Sequence, residues 1–342
     1  MTFLQSPSND LIQENLLLAS RVLEGETSVP TQAGTPPSLS ISLPIGRVLS
    51  SLGMAASHVI LSKDSKTAFV SLDRSGGVKI VDVSDLENPV VVNSIKLIPV
   101  ESPFIGKTLM LSDDYKTLFA SNMHRLEIID VSNLETPVIL GQFEDENITN
   151  MLQDRRFTNY VLDYRVSMAS SKDGKTIFIG GMGLQIIDIS DLKKPILISS
   201  DSEKLTDDNL LQTQIQISQN REKLYIVNDS SLHIYSANNP KSLILLESHS
   251  VLNYSISSVV LSKKIHLEVA YILGRAANRA VQGVIFEKIN ISDPAKPTNL
   301  ESYPFKYHTN GHPSFLGLAL DENVAFIQVW DGLISQDVGI LI

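Results

Sequence analysis

Arginine, tyrosine, histidine and tryptophan gather in a few stretches of this 342-residue chain. These side chains anchor partners at interfaces more readily than they break bonds. The longest such stretch, residues 144–163, holds Asp154, Arg155, Arg156, Phe157, Tyr160, Asp163 and Tyr164. A second carries Lys306, Tyr307, His308, Asn310 and His312. Shorter ones pair Asp73 with Arg74, His124 with Arg125, Arg275 with Arg279, and Trp330 with Asp331. The binding residues expected on these loops are Arg74, His124, Arg125, Arg155, Arg156, Tyr160, Arg275, Tyr307, His308 and Trp330.

The same residues give little purchase for catalysis. His308 and His312 are four apart, but Asn310-Gly311 between them breaks a helix, and no third ligand stands nearby, so no metal site is expected. No Gly-x-Ser-x-Gly elbow, phosphate loop or Gly-x-Gly-x-x-Gly occurs. Gly180-Gly181-Met182-Gly183 reads as a turn. Asp64, Asp114 and Asp173 recur at one place in a repeated unit, and Asp82, Asp130 and Asp188 at another. Equivalent places in different units lie far apart, so these carboxylates read as turn-formers and not as an acid–base pair. No catalytic residue, metal or cofactor is expected.

The elements that must carry these loops are themselves repeated. Val78-Lys79-Ile80-Val81-Asp82-Val83-Ser84-Asp85, then Pro89, returns as Leu126 to Asn133 with Pro137, and as Leu184 to Asp191 with Pro195. A second marker is an aromatic inside a short apolar run: Phe69, Phe119, Phe178, Tyr225, Tyr271 and Phe326, at intervals of 50, 59, 47, 46 and 55. Around each marker lies one grammar. An apolar strand such as Val59–Ser62 leads into a polar turn, Lys63-Asp64-Ser65-Lys66, and then the aromatic strand. A small turn follows, then the Val-Lys-Ile-Val-Asp phrase, then a fourth strand opened by proline, which suits a first or edge position. Later copies drift: Ser236 stands in the Asp position and Leu243 in the Pro position.

Four antiparallel strands in about 45–60 residues describe a blade of a β-propeller. No helical period is read between residues 55 and 342. The sixth copy ends at Ile342 without a fourth strand, which would leave a sheet edge open. Pro36-Pro37-Ser38-Leu39-Ser40-Ile41-Ser42-Leu43 alternates polar and apolar behind proline, and residues 38–44 are expected to supply that outer strand. The expected architecture is therefore all-β, a six-bladed propeller over 38–342 closed by an N-terminal strand. Residues 1–37 are expected to form a short helix, within Asn9–Glu24, and a linker.

Composition narrows the partners. Net charge is −10, which disfavours nucleic acid and anionic membrane surfaces. There is no cysteine, hence no disulfide or thiolate chemistry. No apolar run approaches the roughly 20 residues of a membrane helix. Met1–Leu18 does not read as a signal peptide, so either the chain is not exported by that route or a leader is removed before this numbering begins; a soluble chain is expected, cytoplasmic or secreted by another route.

The phrases VKIVDVSDLENPV, LEIIDVSNLETPV and LQIIDISDLKKPI resemble the LVIVD repeat of propeller-forming proteins, and residues 290–297 match its turn. The resemblance implies a binding scaffold and brings no catalytic residues. The expected function is a non-catalytic scaffold for a protein or peptide. The alternative is a channel-centred six-bladed hydrolase or lactonase, which the apolar, serine-rich first strands disfavour.

Overall fold

The computed structural model describes residues 56–72, 77–98, 107–122, 124–153, 166–200, 213–228, 231–250, 254–262, 268–276, 283–293, 296–306, 312–318, 324–330 and 335–341. Sheet 1 joins β1 (Ala56–Leu61), β2 (Thr67–Leu72), β3 (Val78–Asp82) and β4 (Val90–Ile95). Sheet 2 joins β5 (Thr108–Leu111), β6 (Thr117–Ser121), β7 (Arg125–Asp130) and β8 (Val138–Glu144). Sheet 3 joins β9 (Ser167–Ser170), β10 (Thr176–Gly181), β11 (Gly183–Asp188) and β12 (Ile196–Ser200). Sheet 4 joins β13 (Thr213–Ile217), β14 (Lys223–Asn228), β15 (Ser231–Ser236) and β16 (Ile244–Ser250). Sheet 5 joins β17 (Tyr254–Leu261), β18 (Val269–Ala276), β19 (Gly283–Asn290) and β20 (Thr298–Lys306). Sheet 6 joins β21 (His312–Leu318), β22 (Val324–Trp330) and β23 (Ser335–Leu341). The described residues thus form five four-stranded meanders and one of three strands. The segments expected as a closing strand and a leading helix, 38–44 and 9–24, lie outside them.

The chain divides into two compact units, one holding sheets 1 to 4 and the other sheets 5 and 6. In the first unit the core lies between successive sheets. Phe69 and Ile80 of sheet 1 share a cluster with Leu118 and Ile129 of sheet 2. Phe119 and Ile128 of sheet 2 meet Ile177 and Ile187 of sheet 3. Phe178 and Ile186 of sheet 3 meet Leu224 and Ile226 of sheet 4. The recurring aromatic is therefore the plug between one sheet and the next. In the second unit Tyr271 stacks on Phe286, centroids 6.0 Å apart, and β21 lies against β17 and β18.

The polar turns are built as the sequence implied. Ser62 Oγ donates to Asp64 Oδ1 at 2.6 Å, Lys66 N donates to the same oxygen, and Thr67 N donates to Ser62 Oγ. Ser112–Asp114, Ser171–Asp173 and Ser218–Asn220 repeat this pattern. Each turn contains a residue in the left-handed region: Ser65 (φ 56°), Tyr115 (59°), Gly174 (67°) and Arg221 (57°). The second recurring aspartate closes the turn after the third strand, where Ser84 N, Ser132 N and Ser190 N donate to Asp82, Asp130 and Asp188. Hydrogen bonds from those serines hold Asp82 and Asp130 below the usual carboxylate range.

First strands are stitched side by side at one position, four residues before the turn serine. Leu109 N donates to His58 Nδ1 at 3.2 Å, Thr108 Oγ1 donates to Val166 O at 2.9 Å, and Ile215 N donates to Ser167 Oγ at 2.8 Å. Fourth strands dock on the following sheet's turn. Asn93 Nδ2 donates to Leu134 O and Glu135 O. At the matching place in β8 sits Gly141, where a Cβ would lie 2.1 Å from Leu192 O.

The expectation of no helix fails at one place. α1 (Glu146–Gln153) follows sheet 2 directly. Ile148 is a fully buried anchor, 0% exposed, and with Met151 and Leu152 it gives one turn of apolar spacing, too short to announce a period. Asp145 makes the helix instead, capping it by accepting from Asn147 N and Ile148 N.

Gly141→Ala should cost more than Gly174→Ala, although only Gly174 has a positive φ. The first forces a methyl onto rigid backbone, about 3 kcal/mol. The second strains one exposed turn, about 1 kcal/mol. Thermal unfolding of the two variants checks the order.

Candidate functional site

Within a four-stranded meander the turns joining strands one to two and three to four share one end. The loop joining strands two to three, and the exit of strand four, share the other. At that second end of sheets 2 and 3 lie all the buried charged side chains among the described residues: Lys107, Arg125, Glu127 and Asp145. Buried charge is expensive unless paired, so its concentration here marks this end as different from the rest of the fold.

The third strand supplies the first partner. Its second or matching residue is polar in every four-stranded sheet: Lys79, Glu127, Gln185, His233 and Glu287. Opposite each on the fourth strand stands Ser94, Gln142, Ser200, Ser248 or Ser302. Lys79 bonds Ser94 and His233 bonds Ser248. In sheet 2 a glutamine replaces the serine, and Glu127 turns to the buried Lys107 and to Ile98 N, 2.8 Å away. Burial pulls the Lys107 ammonium below its usual range, opposed by Glu127. In sheet 3 Gln185 and Ser200 both donate to Asp145 Oδ2, at 2.9 and 3.2 Å. Asp145 therefore fastens α1, the exit of sheet 2 and the body of sheet 3 together.

His124 and Arg125 occupy the turn entering β7. Asn122 Oδ1 accepts from His124 N and from Arg125 N, at 3.3 and 2.8 Å. His124 O accepts from Asp145 N at 2.7 Å. Arg125 forks onto Glu144 Oε2 through Nε and Nη2, at 3.2 and 2.8 Å. That pairing holds the Glu144 carboxyl below its ordinary range. His124, 4% exposed, is pushed down to about 4, first by burial and then by the charge of Arg125.

Of the residues expected to bind, the structure brings together only His124 and Arg125, and it buries both. Arg125 begins β7, Arg275 lies within β18 and Trp330 ends β22, so none of these three is on a loop. Arg74, Arg155, Arg156, Tyr160, Tyr307 and His308 lie outside the described residues. Lys107, Glu127, Asp145 and Gln185 were missed. Glu127 and Gln185 carry a signal as the polar residue inside an otherwise apolar strand phrase, whereas Lys107 and Asp145 lie just outside strands and carry none. Among the described residues no three His, Asp or Glu side chains gather as a metal group. No helix among them is long and apolar enough to cross a membrane.

Comparison with known proteins agrees with this geometry. The LVIVD repeat matches residues 68–96, 109–145 and 174–201, which cover the second to fourth strands of sheets 1 and 3 and nearly all of sheet 2. No curated protein matches the sequence. Among solved structures, a functionally unknown protein from Desulfotomaculum acetoxidans is similar over 83% of this chain and 84% of its own, with 13% identity and a TM-score of 0.56. A chain of the mitotic checkpoint complex is similar over 86% and 77%, with 12% identity and a TM-score of 0.57. The periplasmic gluconolactonase of Pseudomonas aeruginosa is similar over 83% of each chain, with 12% identity and a TM-score of 0.52. At such identities the likeness is one of fold, and that fold is the β-propeller.

Two outcomes test the site. Glu127→Leu should strand a buried ammonium and cost about 3–5 kcal/mol, whereas adding Lys107→Met should recover most of it, measured by urea unfolding. The second concerns acid. Burial likewise pushes His58 down to about 4, and the neutral ring accepts from Leu109 N through Nδ1. Both histidines fall from 6.5 to about 4 on folding, so the unfolded chain takes up protons first. Stability present above pH 6.5 should drain away down to about 4, at about 1 kcal/mol per histidine per pH unit. His58→Gln, which accepts the same bond at any pH, should flatten that slope in urea midpoints taken across the range.

Proposed function

We propose that this LVIVD-repeat chain is a non-catalytic scaffold that presents one end of its sheets to a protein or peptide. The observation carrying this reading is the buried ionic frame at the second end of sheets 2 and 3. Lys107, Arg125, Glu127 and Asp145 are each engaged inside the fold, where they fix loop exits instead of facing substrate. A frame of this kind holds adjoining loops in one geometry, which lowers the entropy lost on association. The stretch beginning at residue 154, with Arg155, Arg156 and Tyr160, leaves directly from it and carries the residue types of interface anchors. One structural neighbour, a chain of the mitotic checkpoint complex, sits in a protein assembly, in keeping with such a role.

The proposed architecture is a six-bladed ring. Sheet 6 has three strands where the others have four, and residues 38–44 have the proline and the alternation of a fourth strand. A strand from the front of the chain on β23 would satisfy its open edge. The second reading, a lactonase or other hydrolase, draws on the likeness to the gluconolactonase, which is one of fold alone.

Replacing 154–163 with a Gly/Ser linker, leaving Asp145 and α1 intact, should abolish recovery of partners in pull-downs while preserving the melting temperature. Unchanged recovery would remove that stretch from the site. The chain has no cysteine, so pairs introduced at residues 38–44 and at 336–340 report closure cleanly. One register should cross-link under mild oxidation, and silence from every pair would refute the closing strand.

A further inference from the structure

Most polar atoms of the buried cluster are spoken for, but two are not. Asn122 Nδ2 and His124 Nδ1 are buried and have no hydrogen-bond partner among the described residues. Asn122 is 1% exposed and His124 4%. Leaving such a group unmet costs about 1–3 kcal/mol, so each asks for an occupant.

The Asn122 amide cannot be turned round to escape this. Its Oδ1 already accepts from two backbone N–H groups, those of His124 and Arg125. A flip would set an NH2 against both. Nδ2 therefore offers its protons to whatever lies on the other side of the turn. His124 is fixed through its backbone at both ends, donating to Asn122 Oδ1 and accepting from Asp145 N. Its neutral imidazole can carry the proton on Nδ1, which makes a second donor from the same turn. Two donors from one turn call for an oxygen acceptor.

We propose that the turn Asn122–Arg125 is a receiving site for a carboxylate, accepted by Asn122 Nδ2 and His124 Nδ1. On the scaffold reading, on which this rests, that carboxylate belongs to the partner. The electrostatics favour an anion over a neutral carbonyl. Burial first, then the charges of Arg125 and Lys107, hold His124 uncharged, while Glu144 and Asp145 oppose them. A carboxylate on Nδ1 reverses the balance and draws a proton onto the ring. Binding is then coupled to proton uptake, and the affinity rises as pH falls through the ring's raised midpoint towards about 4.

The experiment uses the full chain with 15N-labelled histidine, titrated with sodium acetate and, at equal ionic strength, sodium chloride. His124→Gln assigns the resonance. Acetate should move the His124 ring signal saturably and raise its titration midpoint by about one unit or more, with His58 unaffected. Asn122→Asp keeps the two backbone bonds, removes the amide donors and adds a like charge. It should weaken the acetate effect at least tenfold. A ring signal indifferent to acetate, or moved equally by chloride, leaves a buried water as the sole occupant and overturns the proposal. An acetate effect that survives Asn122→Asp overturns it also. If acetate fails while pull-downs still depend on 154–163, the carboxylate site falls and the scaffold stands. If acetate binds but the pull-down is indifferent to that stretch, the reverse holds.

Discussion

Second strands in sheets 1 to 4 are buried on both faces, and a strand so placed is stable only with a neighbour on each side. β2, β6, β10 and β14 have almost no exposed residue. No single sheet can supply that cover, since its own strands lie beside the second strand and not above it. Burial of Phe69, Phe119 and Phe178 therefore belongs to pairs of sheets. The other contacts in the first unit follow from this demand. First strands exchange side-chain-to-backbone bonds, and fourth strands settle on the next turn, because the aromatic plug brings them within reach.

Much of this was legible in the sequence. Turns could be read because Ser-x-Asp and Asp-x-Ser close their bonds locally, within two to five residues, and local bonds leave local spacing. Strands could be read because an aromatic inside a β-branched or apolar run recurs in the same order of elements, although the loops between copies vary in length. The site was less visible. His124 and Arg125 stood out by residue type, but their burial depends on Asp145 and Glu144, which arrive twenty residues later through strand pairing. Lys107 and Glu127 form one pair across a sheet, and neither residue signals the other. α1 escapes the sequence reading because Ile148, Met151 and Leu152 supply a single turn of apolar spacing, too short to stand out as a period.

The polar position on the third strand gives the repeats their individuality. An ordinary copy spends it on a neighbouring serine, as Lys79 and His233 do. Sheets 2 and 3 spend it on partners outside their own third and fourth strands, Lys107 and Ile98 N for Glu127 and Asp145 for Gln185, and the exchange concentrates buried charge at one end. Such pairs rarely add net stability over an apolar core of the same volume. Their effect is on geometry, since an ion pair tolerates fewer arrangements than a greasy contact.

One recurrence has a bearing on how a chain of near-copies avoids sticking to others. Every fourth strand, from β4 to β20, carries a bulge in the same register, just before the residue facing Ile80, Ile128, Ile186, Ile234 or Lys288. These strands also expose Val90, Val138, Ile196 and Ile244, a greasy fringe on a sheet margin. A straight margin of that composition would template fibrils, and a repeated one would invite copies to zip together. The kink skews the amide ladder so that an incoming extended chain cannot run along it. Oily margins are thereby tolerated in a protein that must fold beside many versions of itself.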